Sequence, residues 1–254
     1  MINDDELKDF LDYKVEEYNK QSFIETDPIS IPHRYRRKED IEVAAFLTAT
    51  ISWGNRKAIL KAANNLMDCF GESPYDFVLE SKVDQIDRIS NFYYRTFNNS
   101  DLRYFIKALK NIYENHNGLE SIFTLNAQEN LHESISQFRS IFFGLAPPER
   151  TLKHVSDPMS GSAAKRIHMM LRWLVRNDKK GVDFGIWKGI SPSILSIPLD
   201  LHSGNTARKL GLLKRSQNDL KAVIELDSRC RKFDPQDPSK YDFALFGLGV
   251  FEKF

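Results

Sequence analysis

The chain has 254 residues, 41% of them hydrophobic and 28% charged, with a formal net charge of +1. That is the make-up of an ordinary soluble protein with room for one large domain or two small lobes sharing a core. Two distant cysteines, Cys69 and Cys230, exclude a disulfide framework and cannot alone ligate an iron–sulfur cluster. No run approaches the roughly 18 apolar residues of a membrane span. The acidic start, Met1-Ile2-Asn3-Asp4-Asp5-Glu6, lacks the basic head of a secretory signal, so a cytoplasmic protein is expected.

Helical periodicity runs through most of the chain. Residues 4–20 place Leu7, Phe10, Leu11, Val15 and Tyr18 at helical spacing. A proline-punctuated loop follows from Thr26 to His33. Residues 39–51 read as a mostly buried helix, which Gly54-Asn55 breaks, and a second helix then runs to a stop at Gly71. Residues 74–80 and 83–97 read as short helices or turns. Residues 101–115 are amphipathic, and Gly118 ends them. Residues 130–143 give another helix, and Pro147-Pro148 a loop. A helix is predicted from Ser162 to Arg176, then a Gly-rich insert to Ile197. Pro198-Leu199-Asp200 opens a helix that stops at Gly211, residues 217–231 are helical, and the tail ends in an apolar run. No repeat and no β-hairpin stands out, so the predicted class is all-α.

Charge is unevenly spread. Residues 150–215 hold thirteen basic and four acidic side chains, a net +9, leaving −8 for the rest of the chain. Such a segment suggests a polyanion-facing surface, or else a solvated helical face with chance clustering. Within it, Gly161-Ser162-Ala163-Ala164-Lys165 puts a permissive glycine ahead of a helix start, where backbone N–H groups can hold a phosphate. Lys165, Met169, Arg172 and Arg176 share one helical face. The plain alternative is a helix turn with a snorkelling lysine. Asp200 stands at a natural N-cap, where its carboxylate would accept first-turn N–H groups, and capping alone would account for it. Residues 45–57 form a buried helix ending in Trp53-Gly54-Asn55-Arg56-Lys57, either a simple cap or a finger toward nucleic acid. His33, His154, His168 and His202 show no tight metal-ligand spacing.

Gly161-Ser-Ala-Ala-Lys165 resembles the hairpin motif of the helix-hairpin-helix base-excision DNA glycosylases. Pro198-Leu-Asp200-Leu-His202, followed by Arg208-Lys-Leu-Gly-Leu212, resembles their Pro-Val-Asp-x-His segment and the Arg-Leu-Gly-Leu behind it. The segment 45–57 and the helix to Gly71 resemble their N-terminal core and lesion-side turn. The likeness covers roughly residues 40–212 and is nearest to the 8-oxoguanine and archaeal branches. The chain departs from the pattern in lacking the second hairpin glycine and the four-cysteine cluster. It also resembles a family of bacterial proteins of unknown function, sharing Asp27-Pro28, Pro32-His33-Arg34, Lys153-His154, Leu171-Arg172-Trp173, Val182-Asp183-Phe184-Gly185 and Tyr241–Gly247.

The resemblance implies two helical lobes with a cleft between them, residues 38–180 as a central lobe with the hairpin, and 1–37 plus 181–254 as a lobe formed by both termini. It implies a DNA glycosylase, with an abasic-site lyase step if Lys165 attacks the sugar and Asp200 serves as its electrostatic and general-base partner. Gly161, Ser162, Arg166, Arg172, Arg176, Trp53, Asn55, Arg56 and His202 would face damaged duplex DNA, with Arg166 helping to depress the lysine. Lys165 and Asp200 would stand a deoxyribose apart. A monomer without metal or cofactor is expected. The competing readings are a protein of the same fold that binds nucleic acid without catalysis, and a metal-dependent or other small-molecule enzyme on a helical scaffold.

Overall fold

The structure, a computed structural model, describes residues 3–254; Met1 and Ile2 of the acidic start lie outside the described residues. Twelve α-helices follow in chain order among the described residues: α1 (Asp4–Tyr18), α2 (Lys38–Ile51), α3 (Arg56–Asp68), α4 (Pro74–Glu80), α5 (Val83–Asp87), α6 (Asn99–Asn115), α7 (Leu119–Thr124), α8 (His132–Phe142), α9 (Lys165–Val175), α10 (Leu201–Lys209), α11 (Leu220–Phe233) and α12 (Tyr241–Val250). Helix accounts for 63% of the chain and strand for 2%, so the protein is mostly helical.

The strand content is a miniature hairpin absent from the sequence reading. β1 (Tyr93–Tyr94) pairs antiparallel with β2 (Phe97–Asn98), Tyr94 opposite Phe97. Two-residue strands are too short to show a period of two. The sequence also took Gly118 only as a stop; with φ +85° it turns the chain directly into α7.

Helix α2 is buried on all sides from Asp40 to Ile51, which makes it the centre of the larger of two hydrophobic clusters. Phe46 stacks on Phe105 of α6 and meets Phe138 and Phe142 of α8 edge-on. The buried Glu42 is satisfied by Tyr113 Oη (2.8 Å) and Trp187 Nε1 (2.7 Å). That bond helps to tie down the insert after α9, whose Val182, Trp187, Ile190 and Leu195 join this cluster. Ile29 and Ile31 of the early proline-rich loop, and Phe23 just before it, pack there too, along a run of three 3₁₀ turns. The division that the resemblance implies places both segments in the lobe formed by the termini.

The smaller cluster joins both ends of the chain: Leu7, Leu11 and Val15 of α1, Ala207 of α10, Val223 and Leu226 of α11, and Leu245 of α12. α12 packs on both α1 and α10. Two glycines permit this approach. A Cβ at Gly247 would lie 2.2 Å from the Tyr18 ring, and one at Gly249 would lie 2.9 Å from Thr206 Oγ1 and 3.1 Å from His202 Cβ. This packing sets α12 beside the start of α10, and the candidate site lies there.

Candidate active site

The site begins with the turn before α9. Asp157 caps the 3₁₀ turn Pro158–Ser160, and Gly161 follows at φ +91°. Ser162 Oγ then accepts the Ala164 N–H at 3.1 Å. Ala164 itself is left-handed, φ +42°, a conformation costing an L-residue about 1 kcal/mol. The helix therefore starts at Lys165, three residues later than the periodicity suggested, and Lys165 is its first residue. The Gly161 carbonyl accepts the Leu220 N–H (3.0 Å), which fastens the hairpin to α11.

Thirty-five positions on, Asp200 is the N-cap of α10, its Oδ1 accepting the Ser203 N–H at 2.8 Å. Lys165 Nζ lies 3.3 Å from Asp200 Oδ2. The two groups therefore touch, rather than standing a sugar's width apart. The lysine side chain is 32% exposed and the aspartate 12%, so the pair sits at a mouth and not in the core.

That mouth opens on a cleft of about 290 Å³ lined by Lys165, Met169, Asp200, His202, Arg56 and Phe246, with Asp27 and Asn55 at its sides. Arg56 Nη2 is 2.7 Å from Asp27 Oδ2, and its guanidinium lies 4.8 Å from the Phe246 ring centroid. Arg56 is thus a wall of the cleft. Asn55 is exposed and caps α3 through the Ala58 N–H (3.2 Å). His202 is exposed, as is Gly161, while Ser162 is half-buried.

Several expectations need correction. Arg172 and Arg176 do share the Lys165 face, but α12 and the insert cover it, and both are buried. Arg172 pairs with Asp183 (3.3 Å) and with Asp242, while Arg176 pairs with Asp183 (3.1 Å), Asp178 (2.8 Å) and Asp237 (2.9 Å). Burial alone would depress both guanidiniums, yet Asp183 and its fellow carboxylates outweigh it and hold both above their ordinary range. These arginines are taken up by the fold and present no exposed charge. Six of the thirteen basic side chains in 150–215 pair with carboxylates, namely Arg150, Lys165, Arg172, Arg176, Lys180 and Arg215. Counting charge along the chain therefore overstated the free positive surface. Removing one partner of a buried network strands the others. Arg172→Ala should cost roughly 3–5 kcal/mol of unfolding free energy in a denaturant titration; wild-type stability would refute this structural role.

Trp53 is likewise no free finger. Its ring meets Tyr94 edge-on at 5.6 Å and packs on the larger cluster. The Arg166 guanidinium lies 5.0 Å from that ring and donates to the carbonyls of Thr50 and Lys153. Burial pushes Arg166 down to about 10. It braces the end of α2. His168 is buried and pushed down to about 3. No group of three or more His, Cys, Asp and Glu is placed to hold a metal among the described residues.

Asp27, Phe246 and a buried carboxylate behind the pair, Asp242, received no role from motif reading, although they fall in the blocks Asp27-Pro28 and Tyr241–Gly247. All these cleft residues lie within the segment 27–251, which matches the family described as Protein of unknown function (DUF2400). The chain belongs to that family. No curated protein and no solved structure matches it. Within this DUF2400 chain, the cleft joins an amine, carboxylates, an aromatic ring and a guanidinium. Those groups suit nucleophilic attack on an electrophilic carbon beside a stabilised positive charge.

Proposed function

We propose that the chain is a DNA base-excision glycosylase with an abasic-site lyase step, on a helix-hairpin-helix fold. The observation that carries this reading is the 3.3 Å meeting of Lys165 Nζ and Asp200 Oδ2 from two motifs far apart in sequence. Lys165 attacks C1′ of a nucleotide flipped from the duplex, and the bond to the base breaks with its electron pair leaving on the base. Asp200 faces the positive charge that grows at C1′. The resulting Schiff base opens the way to strand cleavage by β-elimination. Arg56, Phe246 and Asp27 form the wall against which the expelled base would rest. With Arg172 and Arg176 withdrawn from the surface, Gly161, Ser162, Asn55 and His202, with the exposed Lys57 and Lys153, remain to meet the backbone.

The test is incubation with duplexes carrying an abasic site, an oxidised base or an alkylated base. The expected result is strand cleavage at the abasic site, release of at least one damaged base, and binding that weakens steeply with salt as counterions are released. Salt-sensitive binding with neither release nor cleavage would identify a non-catalytic binder of the same fold. Absence of binding at low salt would remove nucleic acid as the partner.

A further inference from the structure

Behind the Lys165–Asp200 pair lies a third carboxylate that the proposed chemistry has not used. Asp242, on the first turn of α12, is buried and lines a narrow cavity together with Lys165, Asp200, Met169 and Arg172. Its Oδ2 accepts from Arg172 Nη1, and its Oδ1 accepts from Ser203 Oγ at 3.3 Å. Ser203 is the same residue whose N–H caps Asp200. One buried serine thus joins the two carboxylates.

The chemistry requires a base. An ammonium has no lone pair, so Lys165 must lose a proton before it can attack C1′. Asp200 is the nearest acceptor, but its negative charge is needed at the same moment beside the developing oxocarbenium. An Asp200 that took the proton would surrender that charge. Two carboxylates in different surroundings can divide these tasks.

We infer that Asp242 is a positioning residue that acts through Lys165, taking its proton before the attack while Asp200 remains the anion beside the sugar. The inference rests on the glycosylase–lyase reading of the cleft. Lys165 is paired with Asp200 and not directly with Asp242, so its proton crosses the narrow cavity of about 40 Å³ that the two share, carried by one water molecule. The Lys165 ammonium and the Asp242 carboxylate thereby become an amine and a carboxylic acid. The amine then forms the N–C1′ bond with its lone pair, and the base departs with the electrons of the old bond. Ser203 is built for both states of Asp242. Its hydroxyl donates to the carboxylate, and by rotating it can accept from the carboxylic acid.

The surroundings agree. Burial pushes the Asp242 carboxyl up to about 6 against the pull of Arg172, and the charge of Asp200 adds to the rise. The groups facing it are Arg172 and Lys165 of α9, Asp200 at the head of α10, the buried Cys230 thiol of α11, and Asp27, which shares the cavity but is paired with Arg56.

The experiment is the pH dependence of borohydride trapping on an abasic-site duplex under single-turnover conditions. The wild type should trap faster as pH rises through about 6 and then level off. In Asp242→Asn the rate at pH 7 should fall about 100-fold and keep climbing with pH, because solvent must remove the proton. Arg172 would lose a counter-ion in that variant, so Ser203→Ala serves as the second. It keeps both carboxylates and the capping N–H, and should lose about tenfold with the low-pH limb displaced. If Asp242→Asn fails to fold, the Ser203→Ala profile decides. Either variant trapping with the wild-type pH profile would overturn the inference. A wild type that traps at no pH would instead sink the lyase reading, and this inference with it.

Discussion

Lys165→Gln should reduce borohydride trapping of an abasic-site duplex to background while leaving duplex binding and folding near wild type. Glutamine keeps most of the length of the side chain but has no amine to form a Schiff base. The fold should tolerate the change. An ion pair this exposed contributes on the order of 0.2–1 kcal/mol, small beside the 5–15 kcal/mol that holds a domain together. Gel analysis of reduced complexes, with a denaturant titration of the same preparation, separates the two effects. Persistent trapping would assign the nucleophile elsewhere. Loss of trapping together with loss of folding would make Lys165 structural.

Asp200→Asn is expected to slow base release by about 100- to 1000-fold, the scale seen when one preorganised electrostatic partner is removed from a reacting centre. The capping bond to the Ser203 N–H should survive, because asparagine caps as well as aspartate. Unfolding free energy should therefore shift by less than about 1 kcal/mol. Asp200→Ala supplies the contrast, losing both the charge and the cap, the latter worth about 1 kcal/mol. Measured base release and chemical denaturation of the two variants distinguish the roles. If Asp200→Asn releases base at the wild-type rate, the carboxylate is a cap and nothing else; if it unfolds the protein although the cap is kept, the charge of Asp200 is structural.

The parts of the site legible in the sequence were those written locally. Asp200 follows an extended Pro198-Leu199 approach and precedes a helical run, so its capping position could be read directly. Lys165 could be placed near a helix start, but not as its first residue, because nothing in Ala163-Ala164 announces a left-handed alanine. Arg172 and Arg176 misled for a different reason. Their helical face was read correctly, but what covers it comes from α12 and the insert, and the charges that neutralise it are Asp178, Asp183, Asp237 and Asp242. Net charge along a segment carries no information about such partners. The packing of Trp53 was hidden likewise, since the hairpin that supplies Tyr94 has strands too short to be seen by periodicity. Phe246 and Asp242 reach the pair through the close packing that Gly247 and Gly249 allow α12, while Asp27 is brought there by the 3₁₀ segment before α2 and its ion pair with Arg56 of α3.

The most direct test of the cleft as a place for C1′ chemistry is the identity of the side chain that becomes bonded to DNA. Wild-type protein would be reduced with borohydride in the presence of an abasic-site duplex, digested with nuclease and protease, and its peptides sequenced by mass spectrometry. The expected product is a reduced sugar adduct on Lys165 and on no other amine. An adduct on a different lysine or on the N-terminus, or no adduct at all, would contradict it.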